Sequence, residues 1–457
     1  MRHTNFALAL LAAAALTACG GSDNDAAPAA PAKPKFTSQV NFGDSLSDVG
    51  TYRVGTVAAL GGGKYTINGD NVAVNANLTG KIWPELTAAS FGVAASCAAQ
   101  TGLDGVASQG FAVQVTNNLT CTNYAQGGSR VTNPVGPGNK LTGSPLGQLT
   151  VPLVTQVATH LARNGGKFAG TEVVFVMAGG NDALSLLGGL TAAATAAGNA
   201  AGAQTFAANL STYLTTGATT PATARAAVLA AMGAEAARPG STSTTLVGVA
   251  IQAAATQPGN SAVASAAVYG PLVVKAQTEA TAAGTAAANA YGAANGPALV
   301  PQMAQAGAEL AALVRTQIVG KGAKYVVVNN LPDLAGTPSG KSQSASSQQL
   351  IAGMVQGFNV ALRAGIDGLD ANVAYVDLYT ISVDQVANPS KYGISNAAKP
   401  ACGANALGTT SLVCNKTNVI VGDVSTYLFA DDVHPTPFGS SLIAKATLAQ
   451  MTARGWF

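Results

Sequence analysis

Val173-Val174-Phe175-Val176-Met177 runs directly into Ala178-Gly179-Gly180-Asn181-Asp182. Five consecutive apolar residues leave no polar face, and the run is too short for a core helix. Bounded by turn residues, it reads as a strand buried on both sides. Working outward, residues 39–42, 325–328 and 373–378 are short apolar runs of the same kind. Helical periodicity lies between them, over residues 149–162, 304–319 and 348–369, and a last helix follows Pro437 and continues to about Ala453. Strands alternating with helices point to a parallel sheet covered on both faces, so the expected fold class is α/β.

Two regions break this rhythm. Residues 64–122 are rich in Gly, Asn and Thr around Trp83-Pro84 and read as a long excursion over the sheet's edge. From 187 to about 300 the chain is dominated by Ala, Gly and Thr, with almost no aromatics and no clear repeat. Alanine favours helix, so a helical insertion or cap is expected, with a disordered surface segment as the alternative. At 457 residues, one large domain with an insertion and two domains are both open.

Charge is scarce: 23 Lys+Arg and 20 Asp+Glu make 9% of the chain, against about 25% in ordinary soluble proteins. A net charge of +3 without a dense basic cluster does not make a face for phosphate backbones, which sets nucleic acid aside. Arg2 and His3 precede the apolar run from Phe6 to Leu16, too short to span a bilayer but suited to a signal peptide. The run ends in Leu16-Thr17-Ala18-Cys19-Gly20, which resembles the lipobox of bacterial lipoproteins, where the cysteine is acylated. The expected organisation is a signal peptide over 1–18, a flexible tether over 19–35 and a folded body over 36–457. Cys19 would anchor an outer-membrane or cell-surface lipoprotein, since Gly20 and Gly21 lack the Asp that often retains lipoproteins at the inner membrane. The alternative is a plain secretory signal and a periplasmic or secreted protein; either way the chain is exported. Cys97, Cys121, Cys402 and Cys414 remain, an even number for an oxidising compartment. Local pairs 97–121 and 402–414 are the simplest of three connectivities, and without C-x-x-C spacing or a nearby histidine no metal is expected.

Histidine narrows the chemistry. His3 is lost with the signal peptide, leaving His160 and His434. His160 falls on the polar side of a helix whose apolar stripe is Val154, Val157 and Leu161, and reads as a solvated surface residue. His434 lies in Asp431-Asp432-Val433-His434-Pro435, where an Asp three residues earlier can hold Nδ1–H and leave Nε2 free to take a proton. Taken alone, the loop is better explained by a histidine paired with an acid for stability. Gly43-Asp44-Ser45-Leu46-Ser47-Asp48 directly follows the first strand, where parallel sheets place ligands. A helix is expected next, aiming its N–H groups and positive end at Ser45.

Four blocks in order then carry a resemblance. Phe42-Gly43-Asp44-Ser45-Leu46-Ser47-Asp48 resembles the first block of the GDSL, or SGNH, hydrolases. Gly128 within Asn123-Tyr124-Ala125-Gln126-Gly127-Gly128-Ser129 resembles their glycine block, Gly179-Gly180-Asn181-Asp182 the asparagine block, and Asp431-x-x-His434-Pro435 the last. The resemblance implies a flavodoxin-like three-layer α/β/α sandwich with a mostly parallel sheet. It also implies hydrolysis of carboxylic esters, of lipid or short-chain acyl type, through an acyl-enzyme without cofactor. Ser45 would be nucleophile, His434 base and Asp431 its orienting acid, with the Ser45 and Gly128 N–H groups and the Asn181 amide as oxyanion donors. Asp48 and Asp182 read as structural hydrogen-bonders, Asp44 as a supporting group, and Trp83 as a buried residue or a pocket wall. Thr51 and Ser129 depart from the commoner Asn and Ala of many relatives, which bears on substrate fit. With the chain ending at Phe457, the outer-membrane barrel of some larger relatives is not expected, and lipid on Cys19 is the expected anchor. An acyltransferase or a polysaccharide deacetylase would use the same machinery; a non-catalytic surface lipoprotein is the non-enzyme alternative.

Overall fold

The computed structural model describes residues 33–69 and 76–457; the expected signal peptide, Cys19 and most of the tether lie outside the described residues. The strands are β1 (Gln39–Gly43), β2 (Gln100–Asp104), β3 (Ala112–Asn117), β4 (Val173–Met177), β5 (Tyr325–Asn329) and β6 (Val373–Val376). The helices are α1 (Gly55–Ala59), α2 (Trp83–Phe91), α3 (Leu153–Arg163), α4 (Gly180–Leu214), α5 (Pro221–Ala236), α6 (Ser243–Ala255), α7 (Ala266–Asn295), α8 (Leu299–Leu313), α9 (Pro338–Lys341), α10 (Ala345–Gly365), α11 (Leu378–Ala387) and α12 (Pro437–Ala453).

β1, β4, β5 and β6 pair in that order, all parallel, with Val40 opposite Val174, Val174 opposite Val326, and Val326 opposite Val373. Side chains alternate across a strand, and both sides find a layer. Val40, Val174, Val176, Val326 and Val328 pack with residues of α3, α8 and α10, whereas Phe175, Met177, Val327 and Val376 pack with Trp83 of α2 and Met451 of α12. The expected α/β class and mostly parallel sheet are what is found.

The outer edge of β1 is also covered. Asn41 N–H donates to Thr122 O at 3.0 Å, Tyr124 N–H to Asn41 O at 2.8 Å, and Gln126 N–H to Gly43 O at 3.2 Å. Residues 122–126 thus run beside β1 as a ribbon with one parallel bridge, Asn41 to Asn123. Counting it, the spatial order by chain position is second, first, third, fourth, fifth. That is the flavodoxin-like order, whose ligand crevice opens at the carboxyl ends flanking the first strand.

Four local expectations change. β6 stops at Val376 because Asp377 caps α11, accepting from Thr380 N–H at 3.1 Å. α3 begins at Leu153, because Thr150 has φ 49° and Pro152 is the cap. No helix starts at Ser45; a turn closed by Ser47 N–H on Asp44 O gives way to a loop in which the Asp48 carboxylate gathers Gly50 and Thr51 N–H, and the short α1 begins only at Gly55. The excursion over 64–122 has structure of its own, with α2, the antiparallel pair β2 and β3, and the disulfide Cys97–Cys121. The second disulfide joins Cys402 and Cys414. Trp83 is fully buried, edge-on to Phe175, and is a core residue.

From 187 to 300 the chain is helical, in α4 to α7, with an apolar cluster of its own that includes Leu210, Val228, Met232 and Ala250. Two of its glycines, Gly198 and Gly284, have a packing reason. A Cβ on Gly198 of α4 would stand 2.8 Å from the Gly284 carbonyl of α7, so the two backbones meet only without side chains. Among the described residues no helix is long and apolar enough to cross a membrane.

His160 is not a surface residue. It is 4% exposed, stacks on Phe168 at 4.6 Å between centroids, and its Nδ1 lies 3.3 Å from the Tyr124 hydroxyl. The helix-period reading failed because the ribbon carrying Tyr124 covers the face that periodicity left polar. Burial foremost, then the Arg163 charge, pushes the imidazole down to about 4, from 6.5. A value below that of the unfolded chain means the ring's contribution is complete above pH 6.5 and is lost as pH falls from 6.5 toward 4. Urea unfolding of wild type and His160→Phe should therefore diverge on acidification, with wild type losing about 2 kcal/mol more than the variant between pH 7 and 4.5.

Candidate active site

Three carboxyl-terminal strand ends converge on one cleft. Ser45 sits two residues beyond β1, Gly128 two residues beyond the ribbon, and Asn181 in the first turn of α4, just after β4. The fourth contributor is the loop before α12, folded by Ala430 N–H donating to His434 O at 2.7 Å and by Thr436, which caps α12 at Gly439 N–H. The five residues expected to carry chemistry are brought together. A cavity of about 210 Å³ touches Ser45, Gly128, Asn181 and His434, and Asp431 lies behind the imidazole.

The Ser45 Oγ to His434 Nε2 distance is 2.9 Å, and His434 Nδ1 is 2.9 Å from each Asp431 oxygen. A carboxylate only accepts, so Nδ1 carries the proton and Nε2 accepts from the serine hydroxyl. Asp431 is itself fixed: it takes His434 N–H at 2.7 Å, Val433 N–H at 3.0 Å and Ser411 N–H at 2.7 Å. Asp432 is exposed. Burial is the largest influence on His434 and opposes its charge, yet the charge and hydrogen bond of Asp431, helped by Asp44, outweigh it and hold the imidazole above its usual value. Burial would likewise raise Asp431, but the His434 charge and the bonds from His434 and Ser411 hold the carboxyl well below the usual range.

Across the cleft, Gly128 has φ 81°, and a Cβ there would stand 2.3 Å from Pro137 O. Only glycine fits without displacing backbone. Neither the Ser45 nor the Gly128 N–H has a hydrogen-bond acceptor among the described residues. The Asn181 amide spends one hydrogen on Ser129 O at 2.9 Å, which orients Nδ2 and leaves its second hydrogen. Gly179 caps α4, so the helix's positive end opens at Gly180 and Asn181 on the same cavity.

The acidic residues around this frame are buried braces. Asp48 accepts Gly50, Thr51 and Gly127 N–H, joining the turn of Ser45 to the turn of Gly128. Burial foremost raises it to about 6, against those three bonds. Asp182 pairs with Arg130 Nε at 3.1 Å and takes Val131 N–H. Asp44, 3% exposed, is pushed up to about 7 mainly by burial, while Leu46 N–H and the His434 charge work in the other direction. Tyr65 was not foreseen: its ring lies 4.6 Å from the His434 ring at 33°, and its hydroxyl accepts from Gln148 Nε2. It comes from the excursion over 64–122; an aromatic set among glycines and polar residues was the available signal.

Twenty-nine curated proteins match the chain, and several of them carry the name GDSL esterase/lipase. The GDSL esterase/lipase APG of Arabidopsis thaliana is 30% identical over 144 residues, 29% of this chain and 41% of that protein. A second GDSL esterase/lipase of that plant is 33% identical over 104 residues, 23% of this chain and 26% of its own length. Esterase EstA of Pseudomonas aeruginosa is 35% identical over 141 residues, 29% of this chain and 20% of that protein. The chain spans less than half the length of these relatives. No family model matches it. These similarities support the GDSL family and ester hydrolysis in general.

The electrostatic arrangement makes a direct expectation for the imidazole. Followed by NMR, His434 should titrate above 6.5 in the wild type, and Asp431→Asn should move the midpoint downward, because the charge and hydrogen bond favouring the imidazolium are weakened while burial remains.

Proposed function

We propose that the chain hydrolyses carboxylic esters by a Ser45–His434–Asp431 acyl-enzyme route. The observation that carries this reading is the pair of 2.9 Å contacts on opposite sides of one imidazole, Nε2 to Ser45 Oγ and Nδ1 to Asp431. In this reading Ser45 Oγ attacks the ester carbonyl carbon as its proton passes to His434 Nε2, and Asp431 stabilises the imidazolium that forms. Negative charge develops on the carbonyl oxygen, where the Ser45 and Gly128 N–H groups and the free Asn181 amide hydrogen donate to it. Collapse breaks the carbon–oxygen bond to the alcohol, which leaves with the proton from Nε2. Water then repeats the attack on the acyl-serine with the same base, releasing the acid and restoring Ser45. No step requires a metal or organic cofactor.

The first test is a p-nitrophenyl ester series, acetate through palmitate, with wild type and Ser45→Ala made without residues 1–19. Wild type should turn over, Ser45→Ala should lose at least about 10³-fold in kcat, and Asn181→Ala about 10²–10³-fold, equivalent to about 2.7–4 kcal/mol. Since only neutral His434 accepts a proton and its value is raised, kcat/KM should fall on acidification with a midpoint above 6.5. A folded wild type that hydrolyses none of the series overturns the assignment.

The proposal extends to location: export, followed by acylation of Cys19 and anchoring to the outer membrane or cell surface. Its support is the sequence Leu16-Thr17-Ala18-Cys19 after a short apolar run. Cells expressing the full chain should incorporate labelled palmitate into it and retain it in the membrane fraction. Cys19→Ser should abolish both; a soluble, unlabelled wild type overturns the anchor.

A further inference from the structure

We infer that Tyr65 and Gln148 form a hydroxyl-reading subsite on the wall of the catalytic cleft, and that the enzyme prefers esters whose alcohol half carries a free hydroxyl beside the ester oxygen; this rests on the ester-hydrolase reading above. Six polar side chains line the cleft: Asp44, Ser45, Tyr65, Gln148, Asn181 and His434. Ser45, Asn181 and His434 serve the reacting ester in that reading, and Asp44 accepts from Leu46 N–H at 3.1 Å. Tyr65 and Gln148 are left over. They are 6% and 8% exposed, and buried polar side chains are costly where their hydrogen-bonding capacity goes unused.

Each of the two keeps unused capacity. The Tyr65 hydroxyl oxygen accepts from Gln148 Nε2, and its own hydrogen has no acceptor among the described residues. Gln148 Oε1 has no donor among them either. A Cβ on Gly138 would collide with this oxygen, so glycine there leaves it clear. Burial foremost, with the Asp48 and Asp431 charges, holds the Tyr65 hydroxyl well above its ordinary value against the Gln148 bond, so it stays protonated and able to donate. Both side chains stand on tied backbone. Thr66 Oγ1 donates to Pro435 O at 3.0 Å, joining the Tyr65 segment to the His434 loop, and Gln148 N–H donates to Gly138 O at 2.8 Å. The pair thus offers one donor and one acceptor together, and a hydroxyl, which accepts and donates, matches both. An ether or alkyl group leaves one or both unpaired. Among the described residues no Lys or Arg lines the cleft, so a phosphate or carboxylate would lose its water there without a counter-charge.

The reaction decides which half of the ester carries this hydroxyl. The leaving oxygen must come within hydrogen-bond reach of His434 Nε2 to take its proton, whereas the carbonyl oxygen turns to the Ser45, Gly128 and Asn181 donors. The Tyr65 ring lies 4.6 Å from the His434 ring and against the backbone of Gly127, where a Cβ would collide with it. The subsite therefore borders the imidazole that the alcohol has to approach, and a hydroxyl on the carbon next to the ester-bearing one is the substrate group nearest to it. The substrate class is a partial ester of a polyol, with a neighbouring hydroxyl free. A site built to pair a substrate hydroxyl rejects the analogue lacking it, because its own buried groups are then left unpaired.

The experiment compares wild type, Tyr65→Phe, which keeps a ring on His434 and removes the donor, and Gln148→Leu, which removes the acceptor. The substrates are 2-hydroxyethyl, 2-methoxyethyl and propyl acetate, with methyl glycolate and methyl propionate moving the hydroxyl to the acid half. The readout is the ratio of kcat/KM within each set, with melting curves to establish that each variant is folded. Wild type should favour 2-hydroxyethyl acetate over both other acetates by at least about tenfold; the methoxy ester controls for electron withdrawal by the second oxygen. Each variant should cut both preferences by at least about fivefold, and the glycolate-to-propionate ratio should keep its wild-type value. A wild type without the hydroxyl preference overturns the inference with no variant needed, and so does a preference that either folded variant retains; both outcomes leave ester hydrolysis intact. A change confined to the glycolate ratio overturns it by placing the hydroxyl on the acid half. Wild type inactive on every ester removes the ester reading itself and this inference with it.

Discussion

The hydrogen bonding of β1 along both edges is the constraint on which the site depends. On one side β4 pairs with it in register from Gln39 to Gly43; on the other, the 122–126 ribbon follows it from Asn41 to Gly43. Parallel neighbours end together, so the chain is forced to turn three times at nearly the same height, at Ser45, Gly128 and Asn181. Asp48 then couples two of these turns through the N–H groups of Gly50, Thr51 and Gly127. A buried carboxylate is costly unless its oxygens are occupied, and here the occupying groups belong to the two loops that carry Ser45 and Gly128 to the cleft.

The pair Asp431 and His434 is assembled on different principles. Asp431 and His434 need only a three-residue turn to meet, and most of their geometry is local: the same carboxylate takes two backbone N–H groups of its own loop and the imidazole N–H. What local sequence does not supply is confinement. Ser411 brings a third N–H from the region held by Cys402–Cys414, and Tyr65 of the excursion lays its ring against His434. The disulfide region and the excursion are thus supports for the imidazole.

Composition explains the helical stretch better than periodicity does. Helices α4 and α7 approach at Gly198 and Gly284, where a methyl group would collide with a backbone carbonyl. Small residues there permit contact between backbones, and the larger side chains gather in the cluster around Leu210, Val228 and Met232. An amphipathic stripe is weak in such helices because much of their contact uses Ala and Gly, which is why residue pattern alone left disorder open as an alternative.

Strand class, sheet type and the residues of the cleft were readable because each rests on short-range information. Five apolar residues in a row have one way to be buried on both sides, and glycine, serine, asparagine and histidine stand at strand ends or in loops where backbone turns expose them. His160, Thr150 and Tyr65 were not readable, for a single reason: each owes its setting to a segment distant in the chain. The Tyr124 ribbon turned His160 from a polar-face residue into a buried, uncharged ring; tertiary bonds from Asn139 and to Pro134 hold the left-handed Thr150 that delays α3; and the fold of the excursion carried Tyr65 to His434. The sequence by itself determined which chemistry was available and on which kinds of element it stood. Only the tertiary structure decided the 2.9 Å spacing of Ser45 and His434, the absence of a helix starting at Ser45, and the meeting of Tyr65 with Gln148 at the cleft, because distances between chain-remote groups are set by how layers pack and not by any residue's neighbours.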